Sequence, residues 1–192
     1  MGVWCKLPFT HIFSDSYGIM MPCCYAHVDH PYKSDRPGDF PSASVEDGII
    51  NYWKSPEMSQ LRLDMMKGEM TDNINSVCKQ CIHNENAGLP SHRIPSSTVP
   101  LGRVLDIKLR LFGNTCNLAC YMCNIKNSSY RISQTEKMME HTPEVRDYLA
   151  YDDLPDYLKS DGGFDLLSHS PEVFDRLMLD IKKLASKIKS IT

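Results

Sequence analysis

Eight cysteines fall in short groups along the chain, at Cys5, Cys23, Cys24, Cys78, Cys81, Cys116, Cys120 and Cys123. Each must be a disulfide partner, a metal ligand, a redox group or a small core residue, so their spacing limits what the chain can fold into. Disulfides fit poorly. The N-terminus lacks the charged-then-apolar layout of an export signal. The 192 residues, 42% of them hydrophobic, can build a core without staples. The short spacings Cys78-x2-Cys81 and Cys116-x3-Cys120-x2-Cys123 point instead to metal or redox chemistry in a reducing compartment, and so to a cytoplasmic protein.

Charge and hydropathy remove other classes. A net charge of −3 with 23% charged residues lacks the concentrated basic face of a DNA or RNA binder. No apolar run approaches the roughly 18 residues that span a bilayer.

The segment 116–123 supplies three thiols within one loop, and no cysteine follows it. Beyond it, His141 and His169 stand at unsuitable spacing for a fourth ligand. A closed zinc site needs four ligands. Three thiolates fit a [4Fe–4S] cluster with one iron left open for a substrate or cofactor.

The run Thr115-Cys116-Asn117-Leu118-Ala119-Cys120-Tyr121-Met122-Cys123 resembles the C-x3-C-x2-C loop of radical S-adenosylmethionine (radical SAM) enzymes. The resemblance implies that Cys116, Cys120 and Cys123 hold a [4Fe–4S] cluster whose open iron chelates SAM. Reductive cleavage would then yield a 5′-deoxyadenosyl radical, with electrons from a flavodoxin or ferredoxin. In that family the residue before the last cysteine is often aromatic and lies near the adenine. Met122 stands there, and its thioether can make a similar soft contact.

The loop's context agrees with this. From Val104 to Phe112, Leu105, Ile107, Leu109 and Leu111 alternate with Asp106, Lys108 and Arg110, the period of a strand. Two placements fit. In a barrel, where chemistry sits at the C-terminal ends of strands, the polar set would line the lumen. Otherwise this is an ordinary half-exposed antiparallel strand.

The N-terminal third has its own pattern. Cys5, Gly18-x4-Cys23 and Cys78-x2-Cys81 resemble the auxiliary cluster segment of SPASM and twitch domains, which accompany many radical SAM enzymes. The resemblance implies that Cys5, Cys23, Cys78 and Cys81 hold an auxiliary [4Fe–4S] cluster. Asp15-Ser16-Tyr17-Gly18 is turn-rich and predicts a hairpin that returns Cys23 toward Cys5. Successive strand residues point to opposite faces, so Cys23 and Cys24 are not expected to serve one cluster together, though either alone could. The resemblance, through its Gly18-x4-Cys spacing, selects Cys23 and leaves Cys24 as a buried small hydrophobe. His11, His27, His30 and His83 are possible but less expected ligands.

Three helix starts share one form, at Ser55-Pro56-Glu57, Thr142-Pro143-Glu144 and Ser170-Pro171-Glu172. Each has a hydroxyl N-cap, proline at the first helical position and an acid in the first turn. The first helix is predicted to reach Lys67 and stop at Gly68, burying Met58, Leu61 and Met65. Others are expected at about 129–140 and 171–187. The last has Val173, Leu177, Met178, Ile181, Leu184 and Ile188 at helical spacing, opposite a solvated face with Lys182, Lys183, Lys187 and Lys189. Residues 144–165 form an acidic excursion, and 89–102 read as a linker.

The expected fold class is α/β. A cysteine-rich hairpin-and-helix module (1–100) would precede the first β/α units of a partial TIM-like radical SAM barrel (101–192: strand 104–112, cluster loop 113–124, two helices). The family's second strand and its Gly-Gly-Glu-Pro-like motif would begin near Thr192. The sequence therefore reads as part of a longer enzyme, or as a chain whose barrel is completed by a second polypeptide. A lone strand would otherwise leave bare edges. The alternative reading is a non-catalytic zinc or iron–sulfur binding module. The substrate is not legible.

Overall fold

The computed structural model describes residues 3–29, 38–93, 105–110, 113–116, 120, 123–149, 151–152, 154, 159, 171–186 and 188–191. Its centre is one five-stranded mixed sheet of α/β character, in the order β3-β2-β1-β4-β5. The strands are β1 (His11–Ser14), β2 (Ile19–Met21), β3 (Ala43–Ser44), β4 (Leu105–Lys108) and β5 (Ile188–Ile191).

A single-turn helix α1 (Leu7–Thr10) feeds β1. The β1–β2 connection is the expected hairpin, with Phe13 opposite Met21. Its turn closes because Asp15 Oδ1 accepts from the Tyr17 and Ile19 amides at 2.9 and 3.2 Å. Gly18 takes φ 73° there, a left-handed conformation that side chains disfavour.

β4 runs parallel to β1 on one edge and to β5 on the other. Of the two placements open to the strand, the antiparallel one is not adopted. Neither edge is bare, because the N-terminal hairpin covers one and β5 the other. The strand is also shorter than the expected 104–112. Beyond Lys108, the Arg110 amide donates to the Ser14 hydroxyl at 2.9 Å instead of continuing the ladder. Val104, Leu111 and Phe112 lie outside the described residues. The alternation does hold across the end of the strand: Ile107 and Leu109 are buried while Lys108 and Arg110 are exposed.

Seven more helices follow among the described residues. They are α2 (Ile49–Trp53), α3 (Pro56–Lys67), α4 (Asp72–Val77), α5 (Lys79–Asn86), α6 (Ser129–Met139), α7 (Val145–Tyr148) and α8 (Pro171–Leu184). α3 starts and stops as its sequence dictates. The Ser55 hydroxyl accepts from the Met58 amide, and Gly68 closes the helix in the left-handed conformation. Met58, Leu61 and Met65 are buried in the same core as Ile12, Met20, Ile49, Ile74, Ile107 and Leu177. Arg62 reaches back to the Pro8 and Trp53 carbonyls, at 2.8 Å each, and lies over the Trp53 ring.

The other two helix starts differ from expectation. Thr142 does not cap a helix; α7 is one turn that begins at Val145 behind Glu144. Ser170 lies outside the described residues, and α8 ends at Leu184, so Ile188 belongs to β5 and not to the helix. Val173 and Leu177 are buried, whereas Met178 is exposed. Among the described residues, no helix is long and apolar enough to cross a membrane.

Candidate metal centre

All eight cysteines are free thiols. The fold sorts seven of them into two groups at opposite ends of the parallel strands. Cys5 precedes β1, and Cys23 follows β2, which runs antiparallel to β1. Both therefore lie at the N-terminal end of β1. Cys116, Cys120 and Cys123 follow β4, which runs parallel to β1, so they lie at the other end.

The first group is assembled by short-range features. After β2 the chain turns, and the His27 amide donates to the Val77 carbonyl at 3.0 Å. That bond brings the segment after Cys23 against Cys78. Cys78 sits at the junction of α4 and α5, and Cys81 follows on the first turn of α5. Cys5 interacts electrostatically with Cys81, and Cys78 with both. Cys23 interacts with Cys78 and Cys5. The structure thus brings Cys5, Cys23, Cys78 and Cys81 into one neighbourhood.

Cys24 corrects an expectation. It is exposed, not buried. β2 ends at Met21, so Cys23 and Cys24 lie in a turn, and the alternation of an extended strand does not govern them.

Burial dominates the chemistry of these thiols. It pushes Cys5 up, Cys23 far up and Cys78 up to about 12, the last also through its neighbours Cys5 and Cys81. Backbone amides oppose it at two positions: Leu7 donates to the Cys5 sulfur and Tyr25 to the Cys23 sulfur. Burial thus favours the protonated forms of Cys5, Cys23 and Cys78, and iron binding there must release protons.

Sequence reasoning missed the polar rim of this group. Glu85 stands four residues beyond Cys81 on α5, on the same face. It pairs with the buried Arg93, and Ser91 donates to it at 2.6 Å. Arg93 interacts with Cys5, Cys78 and Cys81. The helical spacing could have found Glu85; nothing local marks Arg93. Tyr52, buried on α2, interacts with Cys23. Arg93 Nη1 and the Tyr52 hydroxyl are buried donors with no hydrogen-bond partner among the described residues. Such atoms are costly unless something accepts from them. A sulfur-rich anionic group held by the four cysteines would do so, and on this ground the residues fit an iron–sulfur cluster.

The second group is held by the start of α6. The Cys116 carbonyl accepts from the Tyr130 amide at 3.3 Å, and the Cys116 amide donates to the Ser129 hydroxyl at 3.3 Å. Arg131 donates from Nε and Nη2 to the Cys120 carbonyl, at 3.2 and 2.6 Å. The Asn127 side-chain oxygen accepts from Ser16 in the hairpin turn and from Arg110 after β4, at 3.2 Å each. Cys120 is exposed, with Cys116 and Cys123 half-buried. A cleft of about 610 Å³ opens beside Cys123, lined also by Arg131, Gln134, Thr135, Met138 and Leu149. Met122 lies outside the described residues.

His11 is buried and His27 is close to α4, but among the described residues no three His, Cys, Asp or Glu side chains are gathered tightly enough for one metal ion. A cube of four irons is held by thiolates spread around it, a wider grouping than a single zinc tolerates.

Residues 5–82 match SPASM, an iron–sulfur cluster-binding domain. The match begins at Cys5, ends one residue past Cys81, and includes Cys23 and Cys78. The matched segment therefore contains the whole four-cysteine group, and iron–sulfur cluster binding is the property the match supports. No curated protein and no solved structure matches the chain.

Proposed function

We propose that this chain is a radical SAM protein, or part of one, with a SPASM-type auxiliary cluster. In this reading Cys5, Cys23, Cys78 and Cys81 hold the auxiliary [4Fe–4S] cluster in a module of about residues 1–100. Cys116, Cys120 and Cys123 hold the SAM-binding [4Fe–4S] cluster in residues 101–192, the start of a partial barrel, with Met122 beside the SAM. When loaded, the three-cysteine cluster would supply the electron that cleaves SAM.

The observation that carries the reading is where the three-cysteine loop lies. It follows a strand with parallel neighbours on both edges and leads into the N-terminus of a helix. This is the β/α arrangement in which open sheets and barrels carry their chemistry. The SPASM segment adds its support, since that module accompanies radical SAM proteins. Arg131 and Ser129 fix the loop backbone at Cys116 and Cys120, and Cys120 is exposed. The open cleft beside Cys123 offers room for a small molecule. A flavodoxin or ferredoxin is the proposed reductant, the substrate is a third partner, and a second polypeptide completing the barrel belongs to the same proposal.

The test is anaerobic reconstitution of the chain with iron and sulfide. Broad visible absorption that bleaches under dithionite, with an electron paramagnetic resonance signal perturbed by added SAM, is the expected result. A colourless protein holding stoichiometric zinc would overturn the reading in favour of a non-catalytic zinc module. A coloured protein indifferent to SAM would leave only iron–sulfur binding.

A further inference from the structure

The rim of the four-cysteine group contains more than ligation requires. Cys78, Cys81 and Glu85 follow one another at helical spacing along one face of the α4–α5 junction. Arg93 returns from beyond α5 to pair with Glu85 through Nε and Nη2, which leaves Nη1 buried and without a partner. Placing a guanidinium out of water is unfavourable unless anionic groups surround it. Glu85 supplies one. Nη1 is left with no acceptor among the described residues. The Tyr52 hydroxyl poses the same question from α2, beside Cys23.

We infer that Arg93 and Tyr52 are positioning residues for the auxiliary cluster, donating hydrogen bonds from Nη1 and the hydroxyl to its sulfurs and thereby holding its reduction potential up. This rests on the proposed auxiliary cluster. The physical reason is charge. Reduction adds an electron to a group that is already anionic, so a cationic or hydrogen-bonding donor stabilises the reduced form more than the oxidised one. The Glu85 oxygens are taken up by Arg93 Nε and Nη2 and by Ser91. What the pair has left to offer the cluster is therefore the Nη1 donor. Glu85 also fixes where that donor sits.

The experiment removes the other cluster first, with Cys116, Cys120 and Cys123 replaced by alanine. The midpoint potential of the remaining cluster is then followed by electron paramagnetic resonance during a redox titration. Tyr52→Phe deletes one hydroxyl and leaves the ring packed, and its potential should become more negative. Arg93→Lys should stay near the parent value, since it keeps the charge. A paired Arg93→Met/Glu85→Met variant replaces the buried ion pair with groups of similar volume, a change that folds tolerate. It should become more negative than the parent. Should that variant fail to fold, Glu85→Gln serves instead, with an expected shift to a more positive value.

Unchanged potentials in Tyr52→Phe and in the Arg93→Met/Glu85→Met variant, with iron content retained, would overturn the inference and leave the cluster assignment standing. A parent protein that assembles no cluster would overturn the assignment itself. A merely structural role for Arg93 would lower thermal stability without moving the potential.

Discussion

His11 Nδ1 lies 3.3 Å from Asp106 Oδ2, side by side in the parallel β1–β4 register. This contact joins the SPASM segment to the strand that precedes the three-cysteine loop. Burial lowers the His11 pKa, against the opposing pull of Asp106. The imidazole is therefore neutral in the fold and donates Nδ1–H to the carboxylate. The unfolded chain takes up the proton more readily, so this residue's stabilising contribution is complete above about pH 6.5 and is lost as pH falls through the folded value. Thermal melts of the metal-free chain from about pH 7.5 down to about pH 5 should show a falling midpoint. In His11→Gln the fall should be shallower. Parallel curves for the two proteins would contradict the assignment.

A second long-range contact docks α8. Asp180 is buried, and its Oδ2 accepts from the Ile50 amide at 3.1 Å, a first-turn donor of α2. The cap position of α2 is Gly48, which has no side chain to do this. Gly48 takes φ 92°, and a methyl group there would meet Asp180 Oδ2 at 3.1 Å. Arg176 adds a bond to the Glu46 carbonyl. Asp180→Ala should cost about 1–2 kcal/mol, the value of a lost helix cap. Chemical denaturation checks it. Gly48→Ala should also destabilise, through both backbone strain and the crowding at Asp180.

Local patterns in the sequence were read well where short-range physics decides the outcome. The Asp15–Gly18 turn, the α3 cap and stop, and the alternation around Ile107 all follow from neighbours in sequence. The misses are tertiary. Nothing local says that β1 would pair with β4, some 95 residues away in sequence register from His11 to Asp106, or that β5 would cover the other edge. Cys24 was misplaced because β2 ends two residues before Cys23. Glu85 could be read from its helical spacing to Cys81, but Arg93 reaches the site only across a loop.

The choice between Cys23 and Cys24 yields a sharp comparison. Cys23 interacts with Cys5 and Cys78 and receives the Tyr25 amide, whereas Cys24 is exposed. Cys24→Ser should retain all iron after reconstitution. Cys23→Ser should lose the auxiliary cluster, about four irons of eight when both sites are loaded. Equal iron in the two variants would reject Cys23 as a ligand. An inverted result would identify Cys24.

The two cysteine groups should load independently. They lie at opposite ends of the parallel strands, and Arg131, Ser129 and Asn127 organise only the second. Replacing Cys116, Cys120 and Cys123 by alanine should therefore leave about four irons of eight, with the auxiliary spectrum intact. Arg131→Met tests the same loop more gently. It removes both donors to the Cys120 carbonyl, which are exposed and so together contribute on the order of 1 kcal/mol. The three-cysteine cluster should then be lost first under chelator, while the auxiliary cluster persists at its parent rate. Iron release in one phase, with both signals falling together, would show that the two ends of the sheet are coupled.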